Sequence, residues 1–259
     1  MIEVRSAGKE FGGITALNRL DWKVKEGEWW GVIGPNGSGK STLMRLLSGV
    51  EPVSTGSIRI AGRDVAEYGR KPLSQMMAVL QQEGIAPIHY PVREVLEMGR
   101  YPYLDWLGRD VKEDVDALFE DIMDKLELHE LADRPLDELS GGQRQRVALG
   151  QVMAQEPQIL LLDEPTTFLD IRYQQQFMEL VAAWRKETGI TVIAVLHDLN
   201  LAAQYCDKLL VLRDGSSVGM GTPEDMLTAE RIRFVYEVEP VVVKHPDSGV
   251  PQVLLSRKA

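Results

Sequence analysis

The chain has 259 residues, 44% of them hydrophobic and 26% charged, enough to bury a substantial core in one large domain or two small ones. Asp and Glu (39) outnumber Lys and Arg (29), and the formal net charge of −10 argues against a protein that wraps nucleic acid. Cys206 is the only cysteine, which excludes an intrachain disulfide and a thiol-built metal site.

The N-terminal third reads as short strands, Ile2–Arg5, Leu20–Val24, Glu28–Ile33 and Ser57–Ile60, with glycine turns between them. Met1-Ile-Glu-Val-Arg-Ser carries an acid early and no apolar run follows it, so no signal peptide is expected. The third strand runs into Gly34-Pro35-Asn36-Gly37-Ser38-Gly39-Lys40-Ser41-Thr42, which fits G-x-x-x-x-G-K-[ST] in full. Glycines there let backbone N–H groups close around phosphate oxygens. Lys40 brings a cation to the terminal phosphates, and Ser41 can hold Mg2+. Thr42 to Leu47 then reads as the helix whose N-terminus faces those phosphates. Pattern and context together predict a nucleoside triphosphate site.

The middle of the chain changes character. Pro91 opens a helix-compatible run to Met98, and Val111 to Leu126 predicts an amphipathic helix. Its apolar residues Val111, Val115, Leu118, Phe119, Ile122 and Leu126 share one face, and its acids form a solvated one. Between Ile85 and Leu107, Tyr90, Tyr101, Tyr103 and Trp106 make the segment more aromatic than a solvated loop needs. Packing within a helical insertion (about 84–139) and contact with a partner both account for that.

Leu139-Ser140-Gly141-Gly142-Gln143 precedes Arg144-Gln-Arg, a helix whose free backbone N–H groups would face whatever Ser140 faces. From Gln143 onward helix and strand alternate, as in a parallel α/β sheet. Ile159–Leu162 and Thr191–Leu196 are the continuous apolar runs of strands buried on both faces, and both fall far short of the ~20 residues that span a bilayer. Ligands in such sheets gather beyond the carboxyl ends of the strands. One of these strands ends in Asp163-Glu164 and the other in His197-Asp198. Asp163 suits a Mg2+ shell, which leaves Glu164 to orient and polarise an attacking water. Val238–Val243 and Val250–Leu255 flank Pro246–Gly249 and predict a terminal β-hairpin over 238–259, after a single domain spanning 1–237.

Leu139–Gln143, twenty residues ahead of Asp163, is where the chain resembles the ATP-binding cassette (ABC) ATPases, whose signature motif is LSGGQ. The resemblance covers essentially the whole chain. By it, Gly34 to Thr42 is the Walker A loop, Ile159 to Asp163 Walker B, Glu164 the adjacent catalytic carboxylate and His197 the switch histidine. Thr167 to Asp170 matches the D-loop, with Phe168 where a small residue is often found. Gln82 falls at the Q-loop glutamine and joins the implied metal set with Ser41 and Asp163, Gln81 being the neighbouring alternative. Phe11 sits where the family stacks an aromatic on adenine.

The resemblance implies an α/β P-loop NTPase with a RecA-like core, an N-terminal antiparallel β subdomain and an inserted helical subdomain. It implies ATP hydrolysis with Mg2+ by two cassettes joined head to tail, each ATP lying between one Walker A loop and the other subunit's signature. One chain carries one of each, so a homodimer is expected. The segments Val95–Tyr103, Leu169–Gln174 and His197–Asp207 are similar to the ATPases of importers for iron–siderophore complexes, haem and vitamin B12. That likeness implies two integral-membrane permease subunits, an extracytoplasmic binding protein acting through them, and a place on the cytoplasmic face of the membrane. An iron–siderophore complex is the first expectation for cargo, with haem, cobalamin or a non-transport ABC role on a soluble protein or nucleic acid as alternatives.

Overall fold

Strict alternation along Leu20, Trp22 and Val24, all buried, builds one face of the first sheet. In the computed structural model, which describes residues 1–82, 85–86, 88–111, 114–167 and 169–255, β1 (Ile2–Phe11) and β2 (Ile14–Val24) form an antiparallel hairpin. It closes through Gly12 and Gly13 at φ of 55° and 85°, a conformation that glycine adopts freely. Both strands extend beyond the segments expected from sequence, because register shifts interrupt the alternation in their outer halves. Next come β3 (Trp29–Ile33), α1 (Lys40–Leu47), β4 (Thr55–Ile60) and β5 (Arg63–Asp64).

The chain continues through α2 (Arg70–Met76), β6 (Met77–Leu80), α3 (Val92–Glu97), α4 (Val115–Lys125), α5 (Gly141–Ala154), β7 (Ile159–Asp163) and α6 (Ile171–Thr188). It returns by β8 (Thr191–Val195), α7 (Leu199–Tyr205), β9 (Lys208–Arg213) and β10 (Ser216–Gly221). Helices α8 (Pro223–Met226) and α9 (Ala229–Tyr236) and the hairpin β11 (Pro240–Lys244) and β12 (Pro251–Leu255) complete it.

Two compact units result, one made of Met1–Tyr68 with the chain from Thr191 onward, the other of Gly69–Ile190. The first holds the antiparallel sheet β2-β1-β4-β5 and a second sheet in which β3 lies between β8 and β9, parallel to both. Every residue of β3 and β8 is buried, as expected of inner parallel strands. At the head of β3, burial pushes the Glu28 carboxyl up. Hydrogen bonds from Lys208, from Trp30 Nε1 and from the Lys25 N–H outweigh that effect and hold it at about 2. Lys208 opens the neighbouring strand, so this pair ties β9 to β3 at 2.7 Å.

The second unit pairs β6 with β7 in parallel and carries the long helices. On α6, Phe177, Met178, Val181 and Trp184 turn one buried face inward, and Gly189 at φ 73° ends the helix. Helix α4 begins at Val115, not at Val111. Asp114 caps it by accepting from the Ala117 N–H (3.4 Å), while Val111 is 69% exposed and donates its N–H to the Tyr103 carbonyl. Lys112, Glu113, Phe168 and Gly84, which opens the expected insertion, lie outside the described residues.

The loop between α3 and α4 is organised by a buried charge. Arg100, 3% exposed, donates to both oxygens of Asp110 (2.8 and 3.2 Å), to Glu156 (2.7 Å) and to the Ala154 carbonyl (2.9 Å). Its guanidinium lies 4.1 Å from the centre of the Tyr103 ring. Tyr103 is therefore a packing residue. Tyr101 and Trp106, carried by the same loop, are 77% and 90% exposed. Among the described residues no helix is long and apolar enough to cross a membrane.

Candidate active site

In the first unit, β3 delivers the chain to Gly34 at the edge of β9. A Cβ there would stand 2.1 Å from the Leu212 carbonyl oxygen, so no other residue fits. Gly39, at φ 99°, caps α1 under a similar restriction, 2.6 Å from the Ala16 oxygen. Between them Pro35, Asn36 and Gly37 turn the loop outward. Lys40 is 5% exposed and reaches back along it, its Nζ donating to the Gly34 and Pro35 carbonyls at 2.8 and 2.9 Å. Ser38 is 2% exposed, and its hydroxyl is buried without a hydrogen-bond partner.

An orphaned buried hydroxyl, a buried ammonium and a helix start with no acidic residue in its first turn make a cradle for an anion. Ser41 is exposed and Thr42 half-buried at that helix start. A hydroxyl oxygen at this helix start is the hard donor chemistry that suits Mg2+.

The loop is braced from behind. Gly215, in the β9–β10 turn, donates to the Ser38 carbonyl (3.2 Å) and accepts from the Asn18 N–H (2.7 Å). Burial drives the Tyr236 phenol on α9 well above its ordinary range, opposed by the Gly34 backbone N–H that donates to it. No sequence signal marks these braces, because they come from segments about 180 to 200 residues away along the chain. His197 leaves β8 on the side where Gly34 leaves β3, since Val195 is in register with Val32 and the Leu196 N–H donates to the Val32 carbonyl (3.2 Å). Phe11 ends β1 and is 43% exposed, with the Lys9 ammonium 4.8 Å above its ring.

In the second unit, Leu80 pairs with Leu162, so Gln81 and Gln82 leave β6 at the end where Asp163 closes β7. Both glutamines are exposed. Glu164 follows in the left-handed region at φ 52°, a backbone state that costs about 1–3 kcal/mol in a residue with a side chain and recurs at functional sites. Thr167 donates to it through Oγ1 (3.4 Å) and through its backbone N–H (3.2 Å, to the Glu164 carbonyl).

Two glutamines fasten the D-loop region. Gln145 donates to the Pro165 carbonyl (2.9 Å), and Gln174 to those of Thr166 and Leu169 (3.2 and 3.1 Å). The sequence reading missed both. Asp170 caps α6, accepting from the Tyr173 N–H at 3.0 Å.

Leu139 is buried and anchors the signature, while Ser140 is exposed as the N-cap of α5. Its hydroxyl accepts from the Gln143 N–H (3.3 Å), and its own N–H donates to Gln143 Oε1 (2.9 Å), a reciprocal capping box. Gly141 faces open space, and a Cβ on Gly142 would meet the Tyr173 ring at 2.8 Å. Signature and D-loop are thus packed on one another through Gly142 and α6. Each unit gathers its own part of the predicted set: the phosphate loop, Phe11 and His197 in one, the glutamines, acids, D-loop and signature in the other.

Fold and phosphate loop define a P-loop NTPase. The ABC transporter family model matches residues 17–167, and the chain belongs to that family. It is an ABC ATPase, coupling ATP hydrolysis to transport. The chain is similar to the ABC transporter ATP-binding protein YvrA of Bacillus subtilis (38% identity over 95% of this chain), of whose length it spans 55%. It is similar to the ferric enterobactin transport ATP-binding protein FepC of Escherichia coli (38% identity, covering 94% of this chain and 90% of FepC). A solved metal-chelate type ABC transporter in an inward-facing conformation matches with a TM-score of 0.84, at 25% identity over 99% of this chain and 97% of that one.

Proposed function

We propose that this chain is the ATPase subunit of an importer for a metal chelate, an iron–siderophore complex in the first instance, working as a homodimer beneath two permease subunits. The observation that carries the nucleotide half is the phosphate cradle: glycines that admit no side chain, the orphaned Ser38 hydroxyl and the buried Lys40 ammonium. The import half is supported by likeness to FepC along almost the whole of both chains.

In this reading Lys40 and the backbone N–H groups of Gly37 to Thr42 hold the β- and γ-phosphates. Ser41, Asp163 and Gln82 would hold Mg2+, which when bound neutralises charge developing on the phosphates. Glu164 accepts a proton from the attacking water, and His197 contacts the γ-phosphate. Ser140, exposed at the start of a capped helix, presents backbone donors to the ATP of a second copy. Phe11 offers its ring to adenine, and Asp170 meets the partner across the dimer. Hydrolysis removes the anion that both copies grip, and the dimer opens.

The permease contact is assigned to the loop that carries Trp106. The Arg100–Asp110 ion pair ties the base of that loop, and Tyr101 and Trp106 border a groove of about 800 Å³ that Arg70 and Lys71 also line. Pre-organised exposed aromatics with a cationic rim are what an interface anchor requires.

Cargo is tested by uptake in cells that lack the gene. Loss of iron–siderophore uptake with haem and cobalamin uptake intact supports the assignment; loss of haem or cobalamin uptake instead transfers it to that cargo. Purification of the chain with nucleic acid or a soluble scaffold, and without a polytopic membrane protein, would support the non-transport alternative.

A further inference from the structure

The C-terminal segment is fastened to the nucleotide-site side of the first unit at two points. At one, Arg213 of β9 grips the end of α9, stacking 4.6 Å from the Phe234 ring and pairing with Glu237 at 2.8 Å. At the other, Asn200 of α7 meets the edge of β12. The Val253 N–H donates to Asn200 Oδ1 at 2.7 Å, and Asn200 Nδ2 donates to the Val253 carbonyl at 3.3 Å. The carboxamide thus occupies the place of one more residue in the sheet, supplying one donor and one acceptor to an exposed strand edge. Two-stranded hairpins are marginally stable alone, and a seven-residue helix is too short to persist by itself. The clamp joins the hairpin edge to α7, which is also capped by Asp198 and packed through Ala202 and Ala203.

Asn200 is bound from the opposite direction as well. Its backbone N–H donates to Asp198 Oδ1 (2.7 Å), the N-cap that also receives the Leu201 N–H (3.1 Å). His197 is the residue just before that cap, with Leu196 held to β3 behind it. The short turn from β8 to α7 is fixed at its β8 end by β3 and at its α7 end by the Asp198 cap, and the Asn200 side chain adds an attachment there that depends on the hairpin.

We infer that Asn200 is a positioning residue: clamped onto Val253 of the C-terminal hairpin, it sets the place of His197 for the γ-phosphate. The inference rests on the reading of His197 given above and extends it to residues that touch no nucleotide. The strap acts on turnover and leaves the phosphate loop, hence ATP affinity, unaffected.

The test compares steady-state ATP hydrolysis by the purified full chain with Asn200→Ala, Val253→Pro, the double variant and His197→Ala. Val253→Pro removes the N–H that Asn200 accepts without changing any residue of α7, and its edge position tolerates proline. Each single variant is expected to lower kcat by about five- to tenfold, the scale of one or two lost hydrogen bonds, with KM for ATP unchanged. The double variant should lose no more than either single, because both remove one interaction.

Unchanged kcat in a folded Val253→Pro variant overturns the inference. So do additive losses, or a fall in kcat that merely follows a fall in the folded fraction measured by thermal melting. Full turnover by His197→Ala would instead overturn the reading of His197, which separates the two failures.

Discussion

Glu164 couples backbone and chemistry at the scale of one residue. Its left-handed backbone places the carboxylate just past the end of β7, where the next residues turn into the D-loop. Glu164→Gln keeps shape and hydrogen bonding but removes the base, so phosphate release should fall by about 10²- to 10⁴-fold with nucleotide still bound. Lys40→Ala should act on binding instead. Loss of a charge-assisted contact weakens ATP affinity by roughly 10- to 100-fold, measurable by nucleotide titration.

Glu28 makes a prediction about acid. Its folded-state value of about 2 lies below the ordinary 4.5, so the carboxylate contributes stability above pH 4.5 that is lost as pH falls from there toward 2. Glu28→Gln should therefore flatten that part of the stability–pH curve obtained from denaturant melts. An unchanged slope would show that the Glu28 carboxylate is not held low by its donors.

Among elements, the loop between α3 and α4 separates stability from interaction. Arg100 is buried against the largely buried Asp110, with Glu156 paired from the exposed side, so Arg100→Ala strands the Asp110 carboxylate and should cost about 3 kcal/mol in chemical denaturation. Trp106→Ala lies a few residues away on an exposed tip and should change stability by no more than about 0.5 kcal/mol. Its effect should appear as loss of transport coupling in the assembled importer, with ATP affinity preserved. A large stability loss for Trp106→Ala would make it a packing residue and remove the proposed permease contact.

For the whole molecule, the proposed reading, in which one copy's signature completes the other's site, predicts association. Ser140 is exposed and its helix is capped, so the donors at that helix start are pre-formed for the anion that the proposal brings from a second copy. Glu164→Gln with ATP should sediment at twice the monomer mass, and with ADP at the monomer mass. A monomer under both conditions would contradict the shared-site reading.

The phosphate loop, the acids after β7 and the capped helix at Ser140 were legible in the chain because each is local. Glycines, a cation or a cap must stand at fixed offsets for a strand to turn into a helix around an anion, and such offsets are written in residue order. The start of α4 was misplaced by four residues because Val111 continues an apolar period although its backbone belongs to the loop held by Arg100. Tyr101 and Tyr103 are indistinguishable in sequence; the Arg100 guanidinium against the Tyr103 ring separates them, leaving Tyr101 exposed and Tyr103 half-buried. The braces behind the phosphate loop, the glutamines on the D-loop and the clamp of Asn200 on Val253 were likewise beyond reach. Each joins two groups that no local pattern relates, so folding alone decides which carbonyl stands within hydrogen-bond distance of which donor.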